Sequence, residues 1–548
     1  MSLNSTLYET IRTGLERRSL EKCSTWAEKC RVMGQPFPGL WEFKYHPWAR
    51  EMHDTNHEFC VGQKGAQLAY TETVLNRTFY KIDIKKESAL YILPAKSPDA
   101  SDFSAARFDP ALELSDYLQN LFSDVKNVGH KRAGGSSLYI RGSRSRSGLK
   151  SVPAGFLVFD EVDEMTQENI PLAFERQSGQ MDKQTWMIST PTLPDYGINV
   201  YYSQSDMREF YFKCPYCSRQ TNLIFPECLE IIGDDPSDKK LRGSYIKCKE
   251  CSHELPHELK HEFLADGVWE PQVNNSDYRG YHINQLYSST TEPWRLAESF
   301  LYSDKSVAHE QEFYNSKLGQ PHIVADAKIE DSQINACVGN HKNGQSGNGL
   351  VTMGIDVGRW IHIIINEYTV GNHVADVNMA SSAVTTYIHK VLSFEELDAI
   401  VYKYRPQAIV IDGNPERRKA FEFAQRFWGH VWLCFYGNAI NGKQISKTKD
   451  ANGQDLEQQV TVDRTSWLDL SLSRIRNETI RLPLNVPLEY RNNIKAIVRK
   501  PELDKYGNPI SRYINTGPDH YGHANNYAEI ALPLAIGLGQ GRNIRSPL

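Results

Sequence analysis

The sequence has no apolar run long enough to span a bilayer, and its first residues (MSLNSTLYETIRTGLERRSLEK) lack the apolar core of a secretory signal. A helical membrane protein is excluded on this reading, and the expected compartment is the cytoplasm. Positive charge is not in excess either. The 62 Lys and Arg against 67 Asp and Glu leave a net charge of −5, so any attraction to nucleic acid must come from a local patch. No internal repeat or low-complexity tract is found. Ten cysteines in 548 residues do not make a disulfide framework; they point to metal binding or isolated thiols.

What is present is an ordinary globular mixture, 40% hydrophobic and 24% charged, long enough for several domains. Residues 1–40 read as a helical segment that breaks at Gly34, Pro36, Pro38 and Gly39. From 41 to 205 short apolar runs alternate with amphipathic stretches, the pattern of an α/β domain. Segment 206–270 has a different texture, with paired cysteines and turn residues. Residues 271–337 return to mixed strand and helix and are expected to complete the first α/β domain. VGNHKNGQSGNG at 338–349 reads as a linker, and a second domain is expected over 350–548.

The most informative stretch is GFLVFDEVDEM at 155–165. Phe156 to Phe159 form an unbroken apolar run, as in a strand buried on both faces of a parallel sheet. Asp160 and Glu161 follow at once, at the carboxyl end where such sheets bind ligands. In nucleoside-triphosphate hydrolases the first of two such acids helps hold Mg²⁺ and the second positions the attacking water. A strand that merely ends in solvated acids would look the same in isolation.

EFCVGQKGAQLAYTETVLN at 58–76 supplies a partner: an apolar lead-in, a glycine-containing turn, then a helix. That order places backbone N–H groups at a helix N-terminus, where phosphates bind. The Gly-Lys-Ser/Thr of the standard loop is replaced by Ala69-Tyr70-Thr71, so its lysine is missing. Lys64 beside Gly65 is the one lysine of the loop, and Thr71 keeps the hydroxyl that Mg²⁺ needs. Without the acidic strand downstream, a plain surface turn would be the better reading.

Two further groups carry metal chemistry. Cys214-Pro-Tyr-Cys217 and Cys248-Lys-Glu-Cys251 are matched pairs on tight turns, and four thiolates suit closed, structural tetrahedral Zn²⁺. In VTMGIDVGRWIHIIINEY (351–368) Asp356 falls inside an apolar strand, an expensive place for a charge without a cation or partner. A turn at Gly358 leads to a second strand, and HVADVNMA (373–380) is expected to be a third. QAIVIDGNPERR (407–418) again ends a strand in an acid, Asp412. This meander followed by αβ units resembles the ribonuclease H-like nuclease fold. The resemblance implies that Asp356 and Asp412 bind Mg²⁺ or Mn²⁺, with a third acid from the C-terminal helix. Asp519 is the choice there; Glu529, Asn525 and Asn526 are alternatives, while Asp463 and Asp469 read as solvated.

Taken in order, the Lys64 loop, GSRSRSGLKS at 142–151 and LVFDEVDE at 157–164 resemble the large terminase subunit of tailed phages, of the lambda-like GpA type. The resemblance implies a P-loop ATPase domain with a zinc-ribbon insertion and a ribonuclease H-like nuclease domain. It further implies ATP-driven movement of double-stranded DNA into a procapsid through a portal, a homo-oligomeric ring, a small terminase subunit, and the cytoplasm of an infected bacterium. Ser189, Thr190 and Pro191 match the family's coupling segment. The basic run 130–150 has no acid, and two jobs stay open for Arg144 or Arg146: the transition state of ATP hydrolysis, or DNA phosphates. Two rival readings remain, a helicase or repair ATPase with a fused nuclease, and a zinc-ribbon DNA-binding protein with a decayed ATPase.

Overall fold

The computed structural model describes residues 20–539 except 124, 151, 275, 325–326, 346, 371–376, 438–444, 450–454 and 504–508. The described residues 20–40 hold the helix Cys23–Cys30 and two short paired strands at 32–33 and 39–40; residues 1–19 lie outside the described set. The chain divides into two compact units, 1–324 and 325–548.

The first unit is built on seven parallel strands: β1 (Phe59–Lys64), β2 (Ala89–Leu93), β3 (Ser136–Gly142), β4 (Phe156–Asp160), β5 (Gln184–Ser189), β6 (Arg208–Lys213) and β7 (Arg279–Ile283). Their spatial order is β6-β7-β1-β5-β4-β2-β3. Because all seven run the same way, their carboxyl ends share one edge, where open α/β sheets place ligands. The central β4 is buried along its whole length, as its apolar run requires. Helix α1 (Tyr70–Asp83) follows the loop after β1.

The expected insertion at 206–270 begins and ends inside this sheet. β6 pairs with β7, and the strand Val268–Glu270 pairs with β6. What projects from the sheet is the stretch between them, with its own three short strands at 229–230, 245–247 and 254–255.

The unit boundary also departs from expectation. Ile329, Ile334 and Cys337 lie in the second unit's core with Ile364, Tyr368 and Ile475, so 325–337 does not complete the first domain. The glycine-rich 338–349 segment is held rather than free. Gly339 N–H donates to Leu482 O, Gly344 N–H to Thr386 O, and the Asn343 side chain pairs with Ile388 through both its groups.

The second unit has an antiparallel meander, β8 (Leu350–Val357), β9 (Ile361–Val370) and β10 (Ser381–Val391). Parallel to β8 run β11 (Ala408–Asp412), β12 (Val431–Tyr436) and then β13 (Asp455–Val462). The meander's third strand is 381–391, carried by the β-branched SAVTTYIHKV; of the expected 373–380, residues 377–380 are a turn and 373–376 lie outside the described residues. Helix α2 (Arg464–Arg476) and the long α3 (His520–Gly539) cover one face. A Cβ at Gly354 of β8 would lie 1.9 Å from Ala524 O and 2.2 Å from Ala528 N, so only glycine lets α3 approach this closely. That approach brings the start of α3 to the carboxyl end of β8.

Candidate active sites

At the carboxyl edge of the first unit the side chains of three strands converge. Lys64, the last residue of β1, is buried, with Nζ 3.4 Å from Thr190 Oγ1 and 3.7 Å from Glu161 Oε1. Asp160 ends β4 and is buried, its Oδ2 accepting a 2.6 Å hydrogen bond from the phenol of Tyr91 on β2. Its other oxygen is buried and has no hydrogen-bond partner among the described residues. Burial and then the neighbouring Glu161 push Asp160 up to about 6, while Lys64, Tyr91 and Thr71 pull the other way. Glu161 itself is held in the left-handed region, φ 63° and ψ 55°, a strained geometry for a residue with a side chain. The strain turns its carboxylate away from the strand line, toward Lys64.

The loop after β1 contains two left-handed residues, Gln67 (φ 59°) and Ala69 (φ 63°), and no side chain caps α1. The first amides of α1 therefore have no side-chain cap, the local feature that an anion site at a helix start needs. Gly65 has a different task. Its N–H already donates to Ile283 O, and a Cβ there would lie 2.9 Å from Lys317 O, so Gly65 permits close packing instead of cradling phosphate. Tyr70, standing where the standard lysine would be, is buried against Gly62 with its hydroxyl on Tyr281 O. Thr71 follows at the start of the helix, near enough to Asp160 to lower its pKa.

Ser189 and Thr190 sit where β5 ends. Ser189 Oγ accepts from Asp163 N–H and donates to Thr190 O. Asp163, the second acid pair's first member and unmarked by the sequence reading, binds Thr192 through its amide and hydroxyl and Ile198 through its amide. Tyr91 was equally hidden, because a tyrosine inside an apolar strand reads as core. Arg144 and Arg146 are exposed on the loop leaving β3, at the same sheet edge. Beside Gln67, Ala69 and Arg107 opens a cavity of about 420 Å³ walled by Phe37, Tyr45 and Trp41. Phe37 and Tyr45 stack at 4.1 Å.

The four cysteines come together. Their sulfur atoms lie within 4.8 Å of one another, as tetrahedral Zn²⁺ needs. Cys214 follows β6 and Cys248 follows the 245–247 strand, each pair forming the turn of a hairpin. The turns are copies: Ser218 and Ser252 are both left-handed, and their N–H groups donate to Cys214 O and Cys248 O. His253 stacks on Tyr216 at 5.0 Å and stands outside the cluster.

In the second unit, Ile355 on β8 is in register with Ile411 on β11, which sets Asp356 beside Asp412 on adjacent parallel strands. Burial pushes Asp412 up to about 6, and the Asp356 charge adds to it, against the Asn414 amide, His523 and Tyr527. Asp519 lies just before α3, bonded to His523 Nε2 at 2.9 Å. Burial raises its pKa, but that hydrogen bond and the charges of His523, Arg464 and His520 outweigh it and hold Asp519 below the usual range. The alternatives are engaged elsewhere. Glu529 is buried in a two-oxygen pair with Arg474 (2.6 and 2.7 Å) and accepts from Tyr368 and Asn378. Asn525 bonds Asn366 and Ser471, and Asn526 bonds Tyr436. Asp463 caps α2 through Ser466 N–H, and Asp469 takes Tyr513 and Arg499. His520, unmarked in the sequence, places Nδ1 2.8 Å from Asp356 Oδ2.

A nucleotide-type edge on a parallel sheet in one unit, and paired strand-end carboxylates on a meander in the other, define an ATPase joined to a metal-dependent nuclease. Two family models match the sequence: "Phage terminase large subunit gpA, ATPase domain" over residues 35–269, and "Terminase large subunit gpA, endonuclease domain" over 278–478. The chain belongs to the lambda-like GpA family of phage terminase large subunits, with ATPase and endonuclease activities that serve DNA packaging.

Solved structures resembling it include the HK97 bacteriophage large terminase, with 10% identity, TM-score 0.49, and 93% of this chain and 98% of that chain covered. A large terminase from a thermophilic bacteriophage has 9% identity and TM-score 0.27, covering 86% of this chain and 92% of that chain. The large terminase nuclease of the thermophilic phage G20c has 10% identity and TM-score 0.22, covering 36% of this chain and 95% of that chain. The family assignment rests on the two sequence models. No curated protein matches the sequence.

Proposed function

We propose that ATP binds at the carboxyl edge of the first unit, with its phosphates at the start of α1 and its base in the aromatic-walled cavity beside Gln67. Lys64 serves the phosphates from the end of β1, replacing the lysine that the loop lacks. Asp160 and Thr71 hold Mg²⁺, which supplies charge neutralisation on the phosphates, and Glu161 orients the attacking water. The observation that carries this reading is the meeting of Lys64 with Glu161 and Thr190 at one edge, beside buried Asp160. Thr190 and Ser189 report the state of the γ-phosphate to the rest of the unit. Arg144 or Arg146 contributes from the same edge, to ATP or to DNA.

Cys214, Cys217, Cys248 and Cys251 hold structural Zn²⁺. Asp356, Asp412 and Asp519 hold Mg²⁺ or Mn²⁺, which activates water and stabilises the leaving oxygen of the cut strand. Family membership supports the wider setting: double-stranded DNA, a portal and procapsid, a small terminase subunit, a homo-oligomeric ring, and the cytoplasm of the infected host. No described helix is long and apolar enough to cross a membrane.

The deciding experiment separates the two activities. Glu161→Gln should abolish ATP turnover, leave nucleotide binding nearly intact and spare DNA cleavage. Asp356→Ala or Asp412→Ala should do the reverse. Hydrolysis at the wild-type rate in Glu161→Gln removes that residue from the mechanism.

A further inference from the structure

Three groups that offer ligand atoms gather within 4.8 Å at the end of β8: Asp356, His362 and His520. Asp356 faces His362 directly across the β8–β9 hairpin, and His520 reaches it from the first residue of α3. The two imidazoles are not equivalent. They stack face to face, with ring centroids 4.6 Å apart and planes 7° from parallel. An imidazole nitrogen binds a cation along the ring plane, so one ion cannot lie in both planes while the stack persists.

The atom already paired with the carboxylate is His520 Nδ1, 2.8 Å from Asp356 Oδ2. Two ligands at about 2.1 Å on neighbouring octahedral positions lie about 3 Å apart, so this pair is already close to the edge of such a coordination sphere. His362 is buried beneath, its ring nitrogens without hydrogen-bond partners among the described residues and Nε2 3.5 Å from Glu489. Glu489 is bound in turn by Lys390.

We propose that His520 is an inner ligand of the divalent ion at Asp356, and that His362 is a positioning residue whose stacked ring fixes the plane of that imidazole. The proposal rests on the reading of Asp356 and Asp412 as ion-binding carboxylates, and it adds nitrogen to a set otherwise made of oxygen.

The test is Mn²⁺ titrated into the full chain without nucleotide, followed by calorimetry and by pulsed electron paramagnetic resonance, which detects nitrogen bonded to the ion. Wild type should show directly bonded nitrogen. His520→Ala and His520→Gln should both lose it and raise the Mn²⁺ Kd about tenfold or more. The glutamine variant matters because it can still donate a hydrogen bond to Asp356. His362→Phe keeps a stacked ring and should keep the nitrogen signal.

If wild type binds Mn²⁺ in an Asp356-dependent way with no bonded nitrogen, His520 is only a hydrogen-bond donor and the proposal is overturned. Nitrogen lost in His362→Phe but retained in both His520 variants would overturn it equally. Mn²⁺ binding that survives Asp356→Ala and Asp412→Ala would instead defeat the reading of the carboxylates, and His520 with it.

Discussion

The phenol of Tyr91 donates a 2.6 Å hydrogen bond to Asp160 Oδ2, reaching from the strand beside the one that bears the carboxylate. With one oxygen tied, the carboxylate has a single orientation in which to meet Mg²⁺. Tyr91 also stacks on Phe103 at 4.4 Å, a contact that phenylalanine would keep. Tyr91→Phe should therefore raise the Mg²⁺ needed for half-maximal ATP turnover about tenfold while leaving the saturated rate nearly unchanged. An unaltered Mg²⁺ dependence, in an enzyme that Asp160→Asn inactivates, would strip Tyr91 of this role.

Lys64→Ala should lower ATP turnover at least a hundredfold, because its ammonium group has no substitute in the loop. Restoring the standard motif should not rescue it. Tyr70 packs against Gly62 in the core, so Tyr70→Lys would bury a charge there instead of presenting it to phosphate. The double variant should be less stable than Lys64→Ala alone; recovered turnover in it would show that the loop rearranges.

Elemental analysis should find one zinc per chain. Cys214→Ser or Cys248→Ser should loosen the stretch projecting between β6 and the 268–270 strand, seen as faster proteolysis there. Because β6 itself belongs to the ATPase sheet, ATP turnover should fall through lost stability rather than lost chemistry. Metal-free protein with unchanged proteolysis would refute the assignment.

Glu529→Gln should destabilise the second unit by about 3–5 kcal/mol, since it leaves the buried Arg474 without its countercharge. The measurement is chemical unfolding of the full chain with and without Mn²⁺. A stable variant that no longer binds the ion would return Glu529 to the list of ion ligands.

The nuclease ion should compete with protons. Asp412 is pushed up to about 6, so below that pH it is mostly protonated and the ion must displace the proton. Calorimetry should show Mn²⁺ affinity falling as pH drops through 6 and levelling above it. The sign for stability is opposite. Without metal, the raised pKa favours the folded state at low pH, and that contribution is lost as pH rises from about 4 through 6.

The placement of the candidate carboxylates was legible because they sit at strand ends, where an apolar run stops at an acid. Asp160, Asp356 and Asp412 could be read this way, and the paired cysteines by their spacing. The unread part depends on contacts between distant segments. The 338–349 stretch has a linker's composition, yet Gly344 N–H bonds Thr386 O and the Asn343 side chain pairs with Ile388, both on β10. Glu529 looked like a ligand because its partner Arg474 is fifty-five positions away. Gly65 looked like a phosphate cradle, but its neighbours, Ile283 and Lys317, are supplied by chain more than two hundred residues later. His520 gave no signal, since one histidine at a helix start implies nothing until β8 is beside it.

The carbonyl of Thr192, two residues beyond Thr190, receives three donors: Gln311 Nε2, Asn315 Nδ2 and His322 N–H. The same short stretch of chain takes hold of the end of β1 and the loop after it, where Ala66 N–H donates to Ser316 O and Gln63 Nε2 to Gly319 O. These residues are the last of the first unit before the chain continues into the second. The chain leaving the first unit is thus fastened on two sides of the Lys64–Glu161 edge, to the loop after β1 and to the turn after β5.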